Sequence, residues 1–222
     1  MLIDLHYLVG KYNMVIKGIL HVGAHECEEM KDYLRYLTID KIVWVEALQD
    51  KVELSRTRYP GVQIENVLVD ETDGKMVKFN RTNNGQSSSI LEMGLHRVNH
   101  PHVWNVSSAF LTTTVLSNIL CKYPTINCNF INLDIQGIEM RALKGMEGYL
   151  IDGTVEYIYT EVNDAEVYID CDLINEMDSY LHNFGFQRVE TKFCENFHWG
   201  DALYLRGSTS DIKNKPPIEE SR

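Results

Sequence analysis

The chain has 222 residues, with 21 Lys plus Arg against 32 Asp plus Glu and a formal net charge of −11. That length supports one domain with a real core, and a hydrophobic share of 44% is ordinary for a soluble globular protein. The negative field repels phosphate backbones and no basic stripe overrides it, which argues against nucleic acid; no run of about 18 uncharged apolar residues exists, so membrane insertion is not expected.

The N-terminal stretch "MLIDLHYLVGKYNMVIKG" lacks a basic start and a small-residue cleavage site. It reads as a short helix over 2–12, not as a signal peptide. Apolar strand-like runs follow at 16–22, 41–45, 62–69, 129–133 and 155–161. Helical patterns occupy 26–37 and 49–58 between the first three runs, 114–122 before the fourth and 138–149 after it. Strands alternating with helices predict an α/β fold, a mostly parallel sheet covered on both faces. A helix over 172–184 then leads to "FQRVETKF" and "GDALYLRG", close enough for a hairpin, so the sheet is expected to end with an antiparallel strand.

Residues 74–113 form an irregular middle: "GKMVKFN" reads as an added strand, and about 80–105 as a substrate-side loop. These elements predict one domain over 1–206, while 207–222, rich in Pro, Ser and charge, reads as a flexible tail. Five scattered cysteines (Cys27, Cys121, Cys128, Cys171, Cys194) form no CxxC pair and read as reduced thiols of a cytoplasmic protein.

Open parallel sheets bind ligands at the carboxyl ends of their strands. "GILHVGAHECEEM" places Gly23, Ala24 and His25 in a turn after the first run, where Gly23 allows close backbone approach. "IVWVEALQD" places Glu46 just past the second run, where an acid can accept from both ribose hydroxyls. "NFINLDIQGIEM" places Asp134 at the end of the fourth run, before a turn at Gln136 and Gly137; an N-cap role is its alternative. Together these point to an adenosine-type cofactor. A dinucleotide needs GxGxxG; here the later glycines are replaced by His25 and Glu28, and Glu28 with Glu29 would repel a pyrophosphate. S-adenosylmethionine, with a sulfonium and an ammonium and no phosphate, suits those acids better.

The segments "HVGAHECEE", "VWVEALQD", "ENVLVDETDGKMVKFN", "NNGQSSSIL", "INLDIQGIEMRALKGME", "YIYTEV" and "GDALYLR" occur in this order between about residues 18 and 206. In them the chain resembles the FkbM methyltransferases. The resemblance implies a class I methyltransferase (Rossmann-like) fold, S-adenosyl-L-methionine as cofactor, and O-methylation of a sugar, glycan or other natural product. Carried over residue by residue, it implies Gly23, Ala24, Glu46, Ala47 and Asp134 at the cofactor, with Asn66 and Val67 near the adenine. Gly137 and Glu139 match the same motif as Asp134. The chain departs from the family at His21, where an acid is common, and at His25 and Cys27.

The acceptor side is read from histidines and hydroxyls. His6 and His182 fall in helical patterns and read as structural; His21 reads as buried and hydrogen-bonded. If "FQRVETKF" runs parallel to the main sheet, "CENFHW" overhangs the pocket, making His198 a candidate base and Trp199 a sugar-stacking face. His96 is a second candidate base, in a segment with His100 and His102. "NNGQSSSI" is not a nucleophile elbow, and Gln86, Ser87 and Ser88 suit a polyol or the cofactor carboxylate. A divalent metal held by Asp134, Glu161 and Asp201 is the alternative to a base. The leading expectation is an S-adenosylmethionine-dependent O-methyltransferase acting on a sugar or glycan; the alternatives are a non-catalytic cofactor-fold module that binds a glycan or protein, and a nicotinamide oxidoreductase.

Overall fold

Strands buried at every position require cover on both faces, and among those of four or more residues β1 (Ile19–Val22), β2 (Ile42–Glu46) and β7 (Phe130–Leu133) have that character. They sit at the centre of a seven-stranded sheet in the computed structural model, which describes residues 1–207. The other members are β3 (Gln63–Asn66), β8 (Tyr157–Asn163), β9 (Phe186–Phe193) and β10 (Trp199–Arg206), in the order β3-β2-β1-β7-β8-β10-β9. β1, β2, β3, β7 and β8 pair in parallel, while β10 is antiparallel to both β8 and β9. The expected antiparallel strand is therefore last in the chain, but it is inserted one position inside the sheet edge.

Alternation along the strands divides the core between the two faces. Leu20, Val22, Ile131, Leu133 and Tyr204 pack with α5 (Leu116–Lys122), α6 (Glu139–Lys144), α7 (Glu147–Ile151) and α8 (Ile174–His182). Ile19, Ile42, Trp44, Phe130 and Leu203 pack with α1 (Leu5–Tyr12), α2 (Met30–Tyr33) and α3 (Gln49–Arg58). α1 starts where the Asp4 side chain accepts from the Tyr7 amide at 2.7 Å and stops at Asn13, left-handed at φ 50°.

Three sequence expectations need correction. The helix expected over 26–37 shrinks to α2, because His25 (φ 40°) and Cys27 (φ 56°) adopt left-handed backbone that no helix can continue through. The run 62–69 splits: β3 joins the main sheet, and β4 (Leu68–Val69) joins a second sheet of order β4-β6-β5. In that sheet β5 (Met76–Thr82) is the expected added strand, whereas β6 (Asn105–Thr114) was read as irregular chain. Residues 105–110 of β6 are all exposed, so the strand carries no alternation to read. β4 reaches only Thr113 and Thr114, leaving the rest of β6 paired on one side among the described residues. The expected tail from residue 208 onward lies outside the described residues.

Leu203 is fully buried on the inserted strand and Phe110 is 69% exposed on β6. Leu203→Ala should cost about 2–5 kcal/mol in urea unfolding, and Phe110→Ala should stay within about 0.5 kcal/mol of the parent.

Candidate functional site

The carboxyl ends of β1, β2, β7 and β8 open on one rim, and a cavity of about 530 Å³ lies there, inside the roughly 300–1,000 Å³ range of small-molecule sites. The turn after β1 is fixed by close packing. Gly23 has φ +90°, and a Cβ on it would come within 1.8 Å of the Asp134 carbonyl oxygen. The Gly23 and Ala24 amides both donate to the Val45 carbonyl at 2.9 Å. Gly23 lines the cavity, while Ala24 is buried beneath it.

Glu46, 8% exposed, anchors the next strand end. One carboxylate oxygen accepts from the His25 amide and the other from the Leu48 amide, each at 2.7 Å. Burial pushes its carboxyl upward, and these two amides pull against that shift. His25 and Ala47 line the same wall, with Val67 and Phe79 as apolar surface. Asn66 does not reach the cavity lining; its amide donates to the Glu46 and Ala47 carbonyls at 3.0 and 3.1 Å and so holds the β2 end.

The cavity floor is acidic. Gln136, left-handed at φ 60°, donates to Asp134 at 2.6 Å and to Glu161 at 3.0 Å. Its carbonyl Oε1 accepts from the Tyr168 hydroxyl at 2.7 Å. Asp134 is open to cavity solvent but ringed elsewhere by protein; that crowding, and then the Asp201 charge, push its carboxyl up to about 6. Glu161 is 7% exposed and is pushed well above the usual range, first by burial and then by Asp134. Glu139 closes the turn from below, accepting from the Ile135 amide at 2.9 Å and the Gly137 amide at 3.1 Å. Burial pushes Glu139 up to about 8, with Asp172 adding to the shift. Gln136 and Tyr168 carry this network and escaped the sequence reading, where they look like a polar turn residue and a core aromatic.

The polar loop after β5 roofs the cavity. Ser88 and Ser89 also line it, but Ser88 donates to the Gly85 carbonyl within the loop at 2.7 Å and Ser89 to the Gln136 carbonyl of the floor at 2.8 Å. Ser87 and exposed Gln86 face the cavity. Ser87 Oγ is 3.1 Å from His96 Nε2, and His96 Nδ1 is buried without a partner. Burial, and then His100 and His102, lower His96 to about 4, which leaves its ring neutral at pH 7. Trp199 lines the mouth beside His100 and His102.

Besides Asn66 and Ala24, two further expectations fail on position. His198 is outside the lining: its backbone is left-handed at φ 62° and its half-exposed ring turns to Asp164 at 2.8 Å, so that Trp199 takes the cavity side instead. The metal set Asp134, Glu161 and Asp201 is not assembled. Asp201 lies outside the lining and accepts from the Tyr159 hydroxyl and the Leu2 amide. Among the described residues no group of three or more His, Cys, Asp or Glu is arranged to hold a metal. His21 is buried as expected, stacked on Trp44 at 4.5 Å with Nδ1 2.9 Å from the Tyr33 hydroxyl. Burial lowers its pKa, so its ring is neutral.

A carboxyl raised in the folded state holds a proton that the unfolded chain has already lost. Glu139 therefore contributes stability that is complete below about pH 4.5 and is lost as pH rises through about 8. The thermal midpoint of the ligand-free protein should fall from pH 5 to pH 8, and Glu139→Gln should flatten that slope.

Comparison with known proteins supplies a family. The profile of the methyltransferase FkbM domain matches residues 21–188. Among solved structures, magnesium protoporphyrin IX methyltransferase from Synechocystis PCC 6803 with bound SAM aligns at TM-score 0.51 and 8% identity, covering 91% of this chain and 76% of that one. Its SAH-bound form gives the same TM-score and identity. Sp1610 of Streptococcus pneumoniae, described as a tRNA (m1A22) methyltransferase, aligns at TM-score 0.50 and 13% identity over 96% of this chain and 76% of that one. No curated protein matches. At such identities the structures report the fold alone, a class I S-adenosylmethionine methyltransferase sheet with its antiparallel strand inserted near the edge. With the domain match spanning most of its length, the chain belongs to the FkbM methyltransferase family.

Proposed function

We propose that the protein is an S-adenosylmethionine-dependent O-methyltransferase acting on a hydroxyl of a sugar or glycan. The observation that carries this reading is the pair of strand-end acids, Glu46 on the wall and Asp134 on the floor of one cavity. Glu46 is pre-aimed by two backbone amides, and its remaining lone pairs suit the two hydroxyls of a ribose. Val67, Phe79 and Ile138 offer an apolar slot for an adenine, and nothing in the lining serves a pyrophosphate, since Glu28 and Glu29 both face the cavity.

When bound, the cofactor supplies a methyl group on a sulfonium, reactive toward an oxygen nucleophile. The protein must hold the acceptor hydroxyl in line with that methyl and accept its proton. Asp134 is the base we assign: its raised carboxyl brings its proton affinity toward neutrality, and Gln136 fixes its orientation. His96 is a second candidate through its Ser87 contact, but a ring lowered to about 4 is the weaker base. Gln86 and Ser87 are placed to bind acceptor hydroxyls, and Trp199 offers a flat apolar face at the mouth.

Calorimetry with S-adenosylhomocysteine tests the cofactor half. Glu46→Ala should weaken binding at least tenfold, since each charge-assisted hydrogen bond lost costs about 1.5–3 kcal/mol. Absence of binding by the parent protein would refute the reading.

Transfer of labelled methyl to a panel of glycosides tests the chemistry. Asp134→Asn should lower turnover by about 10²–10⁴ with a smaller change in cofactor affinity. His96→Ala should lower it less, and His198→Ala and added chelator should leave it unchanged. A larger loss in His96→Ala than in Asp134→Asn would move the base to His96.

A further inference from the structure

The acceptor must enter a cavity whose ionisable lining is mostly acidic. Five acidic residues line it (Glu28, Glu29, Glu46, Asp134 and Glu161), and among the described residues no Lys or Arg does. Nearby cations are already engaged elsewhere. Lys51, which approaches Gly85 of the roof, is held by Glu26 at 2.6 Å. Arg81 at the end of β5 is held by Asp50 through two contacts of 2.8 and 2.7 Å. Met1 does line the cavity, but its amino group is already paired there with Glu29 at 3.1 Å.

The histidines at the mouth do not restore positive charge. His96 and His100 are 4.9 Å apart between ring centroids, and His100 and His102 are 6.0 Å apart. Three imidazoles so close repel one another when protonated, and burial at His96 and His100 adds to that preference for the neutral form. What the mouth offers an acceptor is hydrogen-bonding and flat surface: imidazole edges, the Trp199 plane, the Gln86 amide and the Ser87 hydroxyl. S-adenosylmethionine brings one net positive charge, too little to reverse the field of the lining.

Phosphate recognition needs the opposite equipment: guanidinium forks, ammonium groups, or a glycine-rich helix start free of acids. We propose that the acceptor carries no phosphate, nucleotide or carboxylate on the sugar that is methylated. This rests on the sugar-methylating reading above. It places the reaction after glycosyl transfer: a glycosyltransferase must first release the sugar from its nucleotide diphosphate, and the enzyme then methylates the neutral glycoside. In the step itself the methyl–sulfur bond breaks with its electron pair left on sulfur. The hydroxyl oxygen forms the new bond, and the hydroxyl proton leaves to the protein and then to solvent. An amine on the same sugar is tolerated, because its charge complements the floor.

The test compares three forms of each sugar as acceptors for labelled S-adenosylmethionine: the methyl glycoside, the sugar 1-phosphate and the nucleotide diphosphate sugar. Common hexoses, 6-deoxyhexoses and their 2-amino analogues make up the panel. The glycoside should exceed both phosphorylated forms at least tenfold in kcat/KM, with the amino glycoside equal or better. Equal or faster methylation of a phosphorylated form would overturn the proposal and leave the sugar reading standing. If the protein binds S-adenosylhomocysteine but methylates none of these, the sugar reading falls. The charge argument is then decided by adenosine against adenosine 5′-monophosphate in calorimetry. At least tenfold weaker binding of the monophosphate supports it, and equal affinity refutes it.

Discussion

Everything at the rim hangs on the carboxylate of Glu46. Its two oxygens accept from amides on two different turns, His25 after β1 and Leu48 after β2. A buried acid so used is first a structural clamp, because it ties two strand-end turns to one carboxylate, beside the Gly23 and Ala24 amides that bind the Val45 carbonyl. Asn66 tightens the clamp from behind by taking the Glu46 and Ala47 carbonyls. The binding surface and the scaffold are thus the same atoms. Removing the acid loosens the wall as well as its hydrogen bonds to a ligand, and any loss of affinity contains both effects.

The parts of this site that were legible in the sequence are those set by neighbours along the chain. A strand buried on both faces shows as a short continuous apolar run, and the small residue or acid that follows it is its neighbour in the chain, which makes Gly23, Glu46 and Asp134 legible. α3 was found with its observed bounds. The illegible parts depend on residues far apart in sequence. Gln136 becomes a hub only because β7 and β8 lie side by side and bring Glu161 within reach. His198 is turned away from the cavity while Trp199 stays on it, through left-handed backbone at Asn196 and His198 that the pattern of polar and apolar positions does not encode. β6 escaped notice for a different reason: a strand with both faces in water has no reason to alternate.

The replacement of an acid by His21 fits the same electrostatic picture. A sixth carboxylate beside Glu29, Asp134 and Glu161 would deepen a field that already holds protons on its own acids. The neutral imidazole instead stacks on Trp44 and shares a hydrogen-bonded group with Tyr33 and Asn132, turning that position into part of the core.

The inserted β10 has a consequence for how the chain is made. Six of the seven strands of the main sheet leave the ribosome before residue 199, yet β9 cannot join them, because its neighbour in the sheet is the strand synthesised last. Until β10 emerges, β8 ends the sheet with an open edge, and α8 has only part of its packing surface. Those residues include Tyr204, which closes the core against Asp178 of α8. Completing the sheet therefore requires β10 to come between β8 and β9, a non-local pairing made only after both neighbours have been synthesised.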